Sequence, residues 1–188
     1  MQLFASFTGT IMDHWPVWFV TIALIVAAVI DGIQLKVPNW LTFPFIISGW
    51  VYMVAFFGWD GLLWSLGGTA VGLALLLPLY SIGGMGAGDV KLLAGVGAWM
   101  HGTHTFWGFG FSAVIGAGLA LLMVAYRRDW NKHYTQFRLI LNEILTIRDP
   151  NQLSAIAAER KSSMFLLPYG IPIAMGCIAY FAWAGLLI

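Results

Sequence analysis

Gly83-Gly84-Met85-Gly86-Ala87-Gly88-Asp89-Val90-Lys91 sets a carboxylate directly after a run of glycines in a chain that is otherwise mostly apolar. A second carboxylate, Asp31, closes an earlier apolar run that begins at Trp15. An ionisable group in hydrocarbon costs several kcal/mol, so two such groups at corresponding depths are a functional pair by default. Acid–base chemistry on one substrate is the simplest work for that pair.

Composition sets the class. The chain is 60% hydrophobic and 9% charged, with 13 Phe and 10 Trp, and its mean hydropathy is +0.84. These values lie far outside those of a soluble domain of this length, and they define a polytopic membrane protein whose first partner is the lipid bilayer. A net charge of +1 argues against a nucleic-acid partner, which would need a concentrated basic face. The single cysteine, Cys177, lies in an apolar run and supports neither a disulfide framework nor a cysteine-based zinc site. The run from Trp15 to Ile30 follows Asp13-His14-Trp15 with no positive n-region, and so reads as a first permanent span rather than a cleaved signal peptide.

Set against the roughly 20 helical residues that a bilayer core requires, hydropathy predicts about six spans. They fall near 15–33, 40–57, 61–82, 88–101, 105–126 and 164–187. The alternating ten-residue segments of a membrane barrel are not seen. The expected fold is all-α, one bundle of about six transmembrane helices in a single domain over 1–188. The connections are short apart from a polar segment at about 127–163. There Trp130, Tyr134, Phe137, Leu141, Ile144 and Leu145 recur at helical spacing, the pattern of a cytoplasmic amphipathic segment at the membrane interface.

With the N-terminus outside, all nine Lys and Arg, from Lys36 through Lys91 to Lys161, fall on the cytoplasmic side. The same threading leaves Asp13, Asp60 and the turn from His101 to His104 outside. It puts Asp31 and Asp89 at the cytoplasmic ends of spans one and four, facing one compartment.

The fourth span is short. From Ala87 to His101 it offers about 22 Å of helix against a hydrocarbon core of roughly 30 Å. Its glycine-rich start is therefore expected below the headgroups, where irregular backbone is tolerated only against protein or water. Glycine there permits unusual dihedrals and the close approach of a second backbone. A phosphate-binding loop needs GxxxxGK followed by Ser or Thr, and a dinucleotide site needs GxGxxG; neither pattern is present, and no cofactor or metal is expected. Tight helix packing would explain the glycines but not Asp89.

Gly86-Ala87-Gly88-Asp89 matches the GxGD signature of intramembrane aspartyl peptidases, and the continuation Val90-Lys91-Leu92-Leu93 resembles that of type IV prepilin peptidases. Asp31 followed by Val37-Pro38-Asn39-Trp40-Leu41-Thr42 is similar to that family's I/V-P-N-x-L-T segment after its first aspartate. Leu167-Pro168-Tyr169-Gly170-Ile171-Pro172 resembles the start of its last helix. Ile30 precedes Asp31, where the presenilin branch carries tyrosine. Only 30 residues precede Asp31, none of them cysteine, so peptidase activity is expected without the N-methylation of the large bifunctional enzymes. The resemblance is to the small processing peptidases of tight-adherence (Flp) pilus systems.

The resemblance implies a membrane-embedded aspartyl endopeptidase at the cytoplasmic membrane, removing the short basic leader of a pilin-like precursor after a glycine. Asp31 and Asp89 would be catalytic, with Gly86, Gly88, Lys91, Lys36, Pro38 and Asn39 as supporting positions. Two carboxylates sharing a site do not both ionise cheaply, so one keeps a proton while the other activates water. Asp31 ends its helix, where the macrodipole disfavours an anion, and Asp89 begins one, which suggests Asp31 as the proton holder. Lys91 reads either as electrostatic tuning or as a topology anchor. Pro38 and Asn39 shape the turn into span two. His101 and His104 lack a third metal ligand nearby and read as an interfacial turn. The alternative from another class is a proton-coupled transporter using the aspartates as a relay, which matching inverted halves would favour; the halves do not correspond.

Reporter fusions after Gly58 and Thr103 are expected to report the exterior, and fusions near Lys36, Ser81 and Asn142 the cytoplasm. An exterior signal at Asn142 would invert this topology.

Overall fold

The computed structural model describes residues 14–81, 84–127, 138 and 168–187. Among them there are four helices and no strand: α1 (Trp15–Gln34), α2 (Asn39–Ser81), α3 (Ala87–Arg127) and α4 (Gly170–Trp183). The first three are long and apolar enough to cross a membrane, and α4 is a shorter apolar helix. The all-α membrane fold follows the hydropathy. The polar segment expected over 127–163 lies outside the described residues, apart from Arg127 and Arg138.

α1 starts with proline in its first turn, where a missing N–H costs nothing. Val17, Val20, Thr21, Leu24, Ala27 and Asp31 are its buried residues, a stripe at spacings of three and four. Asp31 thus occupies a position that the helix period assigns to the core. The helix stops at Leu35, which adopts a left-handed conformation and donates its N–H to the Asp31 carbonyl at 2.8 Å.

α2 and α3 are each interrupted once. Gly58 (φ 65°, ψ −150°) breaks α2 in a region that glycine alone adopts freely. The chain reverses there. Trp50 Nε1 donates to Thr69 Oγ1 at 3.0 Å, whereas a straight helix would hold residues 19 apart at about 28 Å. His101 (φ 61°, ψ 171°) breaks α3. The two interruptions coincide with the connections expected between spans two and three and between spans four and five.

The first stretch of α3, residues 87–100, is the centre of the molecule. Every residue from Leu92 to Met100 is buried. The second limb of α2 lies against it backbone to backbone. A Cβ at Gly72 would sit 2.6 Å from the Leu93 carbonyl oxygen, and a Cβ at Gly97 would meet the Gly68 carbonyl and lie 2.9 Å from the Thr69 nitrogen. Since 68 faces 97 and 72 faces 93, the two stretches run antiparallel. Ser65 Oγ donates to the Ala98 carbonyl, and Trp99 Nε1 to the Phe45 carbonyl at 2.9 Å. On the other side the second stretch of α3 packs on α4, where Ser112 Oγ donates to the Ile173 carbonyl at 3.2 Å. Val20 and Leu24 of α1, Leu76 of α2, Leu93 and Val96 of α3 and Phe181 of α4 form one apolar core. Ile33, Val51, Val114 and Leu122 are exposed, as helices facing lipid require.

Gly97→Ala is expected to destabilise the folded protein by about 1–3 kcal/mol, roughly 3–10 °C in thermal midpoint. Gly67→Ala, where nothing lies within 4 Å of an added Cβ, should leave the midpoint unchanged or raise it slightly. Thermal unfolding of both variants in one detergent is the measurement.

Candidate active site

Asp31 and Asp89 reach the site by different local routes. Asp31 rides on the buried stripe of α1 and is 2% exposed. Its Oδ2 accepts the N–H of Gly170, the first residue of α4, at 2.7 Å. Asp89 is the third residue of α3 and 6% exposed. Its Oδ2 accepts the N–H of Gly86, immediately before the helix, at 3.2 Å. This is the reach-back half of a capping box, in which an acid in the first turn satisfies the donor at the helix start. Each buried carboxylate therefore has one oxygen held by a glycine N–H, which offsets part of the cost of removing it from water.

The N-terminus of α3 abuts the connection that follows Asp31. A Cβ at Gly88 would meet the Val37 carbonyl and lie 3.0 Å from the Val37 Cβ. Positive φ among the described glycines occurs at Gly58 and Gly185 only. Gly88 is thus required for close approach to Val37 rather than for an unusual dihedral. Gly86 is similarly tight, with an added Cβ 3.2 Å from Asp89 Oδ2. Gly84 is exposed, Met85 buried, and Gly83 lies outside the described residues.

The supporting positions divide. Lys91 Nζ donates to Asn39 Oδ1 at 2.8 Å and sits 4.6 Å from the centre of the Phe43 ring, so its ammonium ties α3 to the first turn of α2. The Pro38 carbonyl accepts the N–H groups of Leu41 and Thr42 at 3.2 and 3.3 Å and so opens α2. Lys36 is exposed in the connection between α1 and α2.

Gly170 carries more of the site than the sequence assigned to it. The Gly170 N–H contacts Asp31 directly. The signal was the Pro168-Tyr169-Gly170 turn itself, which resemblance marks as a helix start and nothing more. Gly170 also alters the dipole argument: Asp31 ends α1 but caps the N-terminus of α4, so helix ends no longer distinguish the two acids.

Elsewhere, Asp60, Trp64, His101, Thr103 and His104 line a cavity of about 520 Å³. His104 Nδ1 is paired with the Tyr180 hydroxyl at 2.8 Å. Among the described residues no group of three His, Cys, Asp or Glu is placed to share a metal ion.

A polytopic helical membrane protein with two buried aspartates, one of them in a GxGD turn, is the class that fold and site define. Residues 18–123 match the type IV leader peptidase family, and the chain belongs to that family. Searches of curated proteins and of solved structures find no match. The matched segment contains both aspartates and ends before α4.

Gly88→Val should cut the initial rate of leader removal by on the order of a hundredfold, because a side chain pressed on the Val37 carbonyl displaces Asp89. Ala87→Val, at an exposed position, should cost far less. Equal rates per folded molecule would leave Gly88 with no special role beside the acid.

Proposed function

We propose that this leader-peptidase-family protein is an aspartyl endopeptidase of the prepilin-peptidase type, with Asp31 and Asp89 as its catalytic pair. The observation that carries the reading is the burial of both carboxylates, with Oδ2 of each held by a backbone N–H. Two acids confined in this way favour a single shared proton over two charges. The ionised member takes a proton from water as the water attacks the scissile carbonyl. The protonated member donates to the carbonyl oxygen, and collapse of the tetrahedral intermediate sends a proton to the leaving amine.

The substrate follows from charge and topology. In the proposed topology the helical stretches make six crossings with the N-terminus outside, so both acids face the cytoplasm at the inner membrane. A precursor with a basic leader and an apolar helix inserts with its leader on that same side. The bond between leader and helix then lies at the level of the acids. A small pilin-like precursor cut just before its hydrophobic helix meets these conditions, and the whole chain acts as one peptidase domain.

Asp31→Asn and Asp89→Asn should each abolish cleavage of a co-expressed precursor, read as a mass shift, while membrane insertion persists. The double variant should be no worse than either single one, since groups acting as one unit are not additive. Robust cleavage by either single variant would sink the dyad.

A further inference from the structure

A carboxylate that moves protons must offer the same oxygen in every turnover, and rotation about its last bond works against that. Asp31 Oδ2 is held at 2.7 Å by a donor 139 residues away in sequence, the N–H of Gly170. This N–H belongs to the first turn of α4, whose leading donors have no partner inside the helix. The residue at the N-cap, Tyr169, makes no side-chain cap bond. The capping oxygen is supplied by Asp31 instead, so the catalytic acid and the cap of the last helix are the same group.

Space makes the arrangement specific. A Cβ at position 170 would lie 2.9 Å from Asp31 Oδ2 and 3.0 Å from Asp31 Cβ, so only glycine brings its nitrogen this near. The adjoining contact between the same two helices is ordinary: a Cβ at Gly32 would lie 3.6 Å from Ile171 Cδ1. Asp89 receives its donor from three residues away, at the start of its own helix. Asp31 depends on a separate helix being docked.

We propose that the first turn of α4 is a positioning element of the active site, the Gly170 N–H fixing Oδ2 of Asp31 so that Oδ1 is the oxygen that exchanges protons. The inference rests on the reading of Asp31 and Asp89 as the catalytic pair. It extends the machinery to a segment beyond the residues 18–123 that match the family.

The test replaces the amide between Tyr169 and Gly170 by an ester, introducing glycolic acid at position 170 during cell-free synthesis into nanodiscs. The exchange deletes the N–H and adds no side chain. Removing a hydrogen bond to a charged group should lower kcat roughly 10- to 100-fold, with KM for the precursor unchanged. An unchanged kcat, or kcat and KM moving together as loosened helix packing would make them, overturns the positioning role. Asp31→Asn is measured in parallel. If it is inactive while the ester protein works normally, only the role of Gly170 is rejected; if it cleaves, the dyad and the positioning role fall together.

Discussion

The architecture depends on a backbone-to-backbone crossing between the second limb of α2 and the first stretch of α3. Apolar helices gain little by meeting one another in lipid, which is as apolar as they are, so adhesion has to come from close packing and hydrogen bonds. Gly68, Gly72 and Gly97 remove the side chains that would keep the two backbones apart. Ser65 adds a hydrogen bond to the Ala98 carbonyl, and Trp99 one to the Phe45 carbonyl of the first limb of α2. A short helix enclosed from Leu92 to Met100 results, and Asp89 sits in its first turn.

Around that post a main-chain N–H holds each acid. Gly86 and Gly170 donate to them, and Gly88 lets the α1–α2 connection press on the start of α3. Each of these glycines serves approach rather than flexibility. A buried carboxylate attracts any donor that can reach it, and a backbone N–H at a helix start is the one donor that sacrifices no other hydrogen bond. The ammonium of Lys91 is committed to Asn39 and the Phe43 ring. It works at the joint between helices.

What was legible in the sequence is what hydropathy and local pattern encode. The apolar runs gave the helices, the gap between the spans ending near 57 and starting near 61 and the His101 turn gave the interruptions, and the cost of an acid in hydrocarbon singled out Asp31 and Asp89. Contacts between distant segments were not legible. Nothing near Gly170 marks it as the donor to a residue 139 positions earlier, because a backbone N–H has no sequence signature. The same holds for the Lys91–Asn39 pair, and for the Val37 carbonyl that makes Gly88 necessary. The dipole contrast between the acids counted only the helix each residue belongs to, and the contact of Asp31 with the start of α4 lay outside it.

The glycine crossing has a consequence for the depth of Asp89. Sliding the first stretch of α3 by one turn would carry Leu93 or His101 to the place of Gly97, against the Gly68 carbonyl, where no side chain fits. The register is therefore locked, and the depth of Asp89 with it. When hydrocarbon thickness and helix length disagree, a loosely packed helix can tilt or shift, at a cost of fractions of a kcal/mol per Å. Here the mismatch of a stretch of about 21 Å with a core of roughly 30 Å is taken up within the protein, because Leu92 to Met100 are buried against the other helices and do not face lipid.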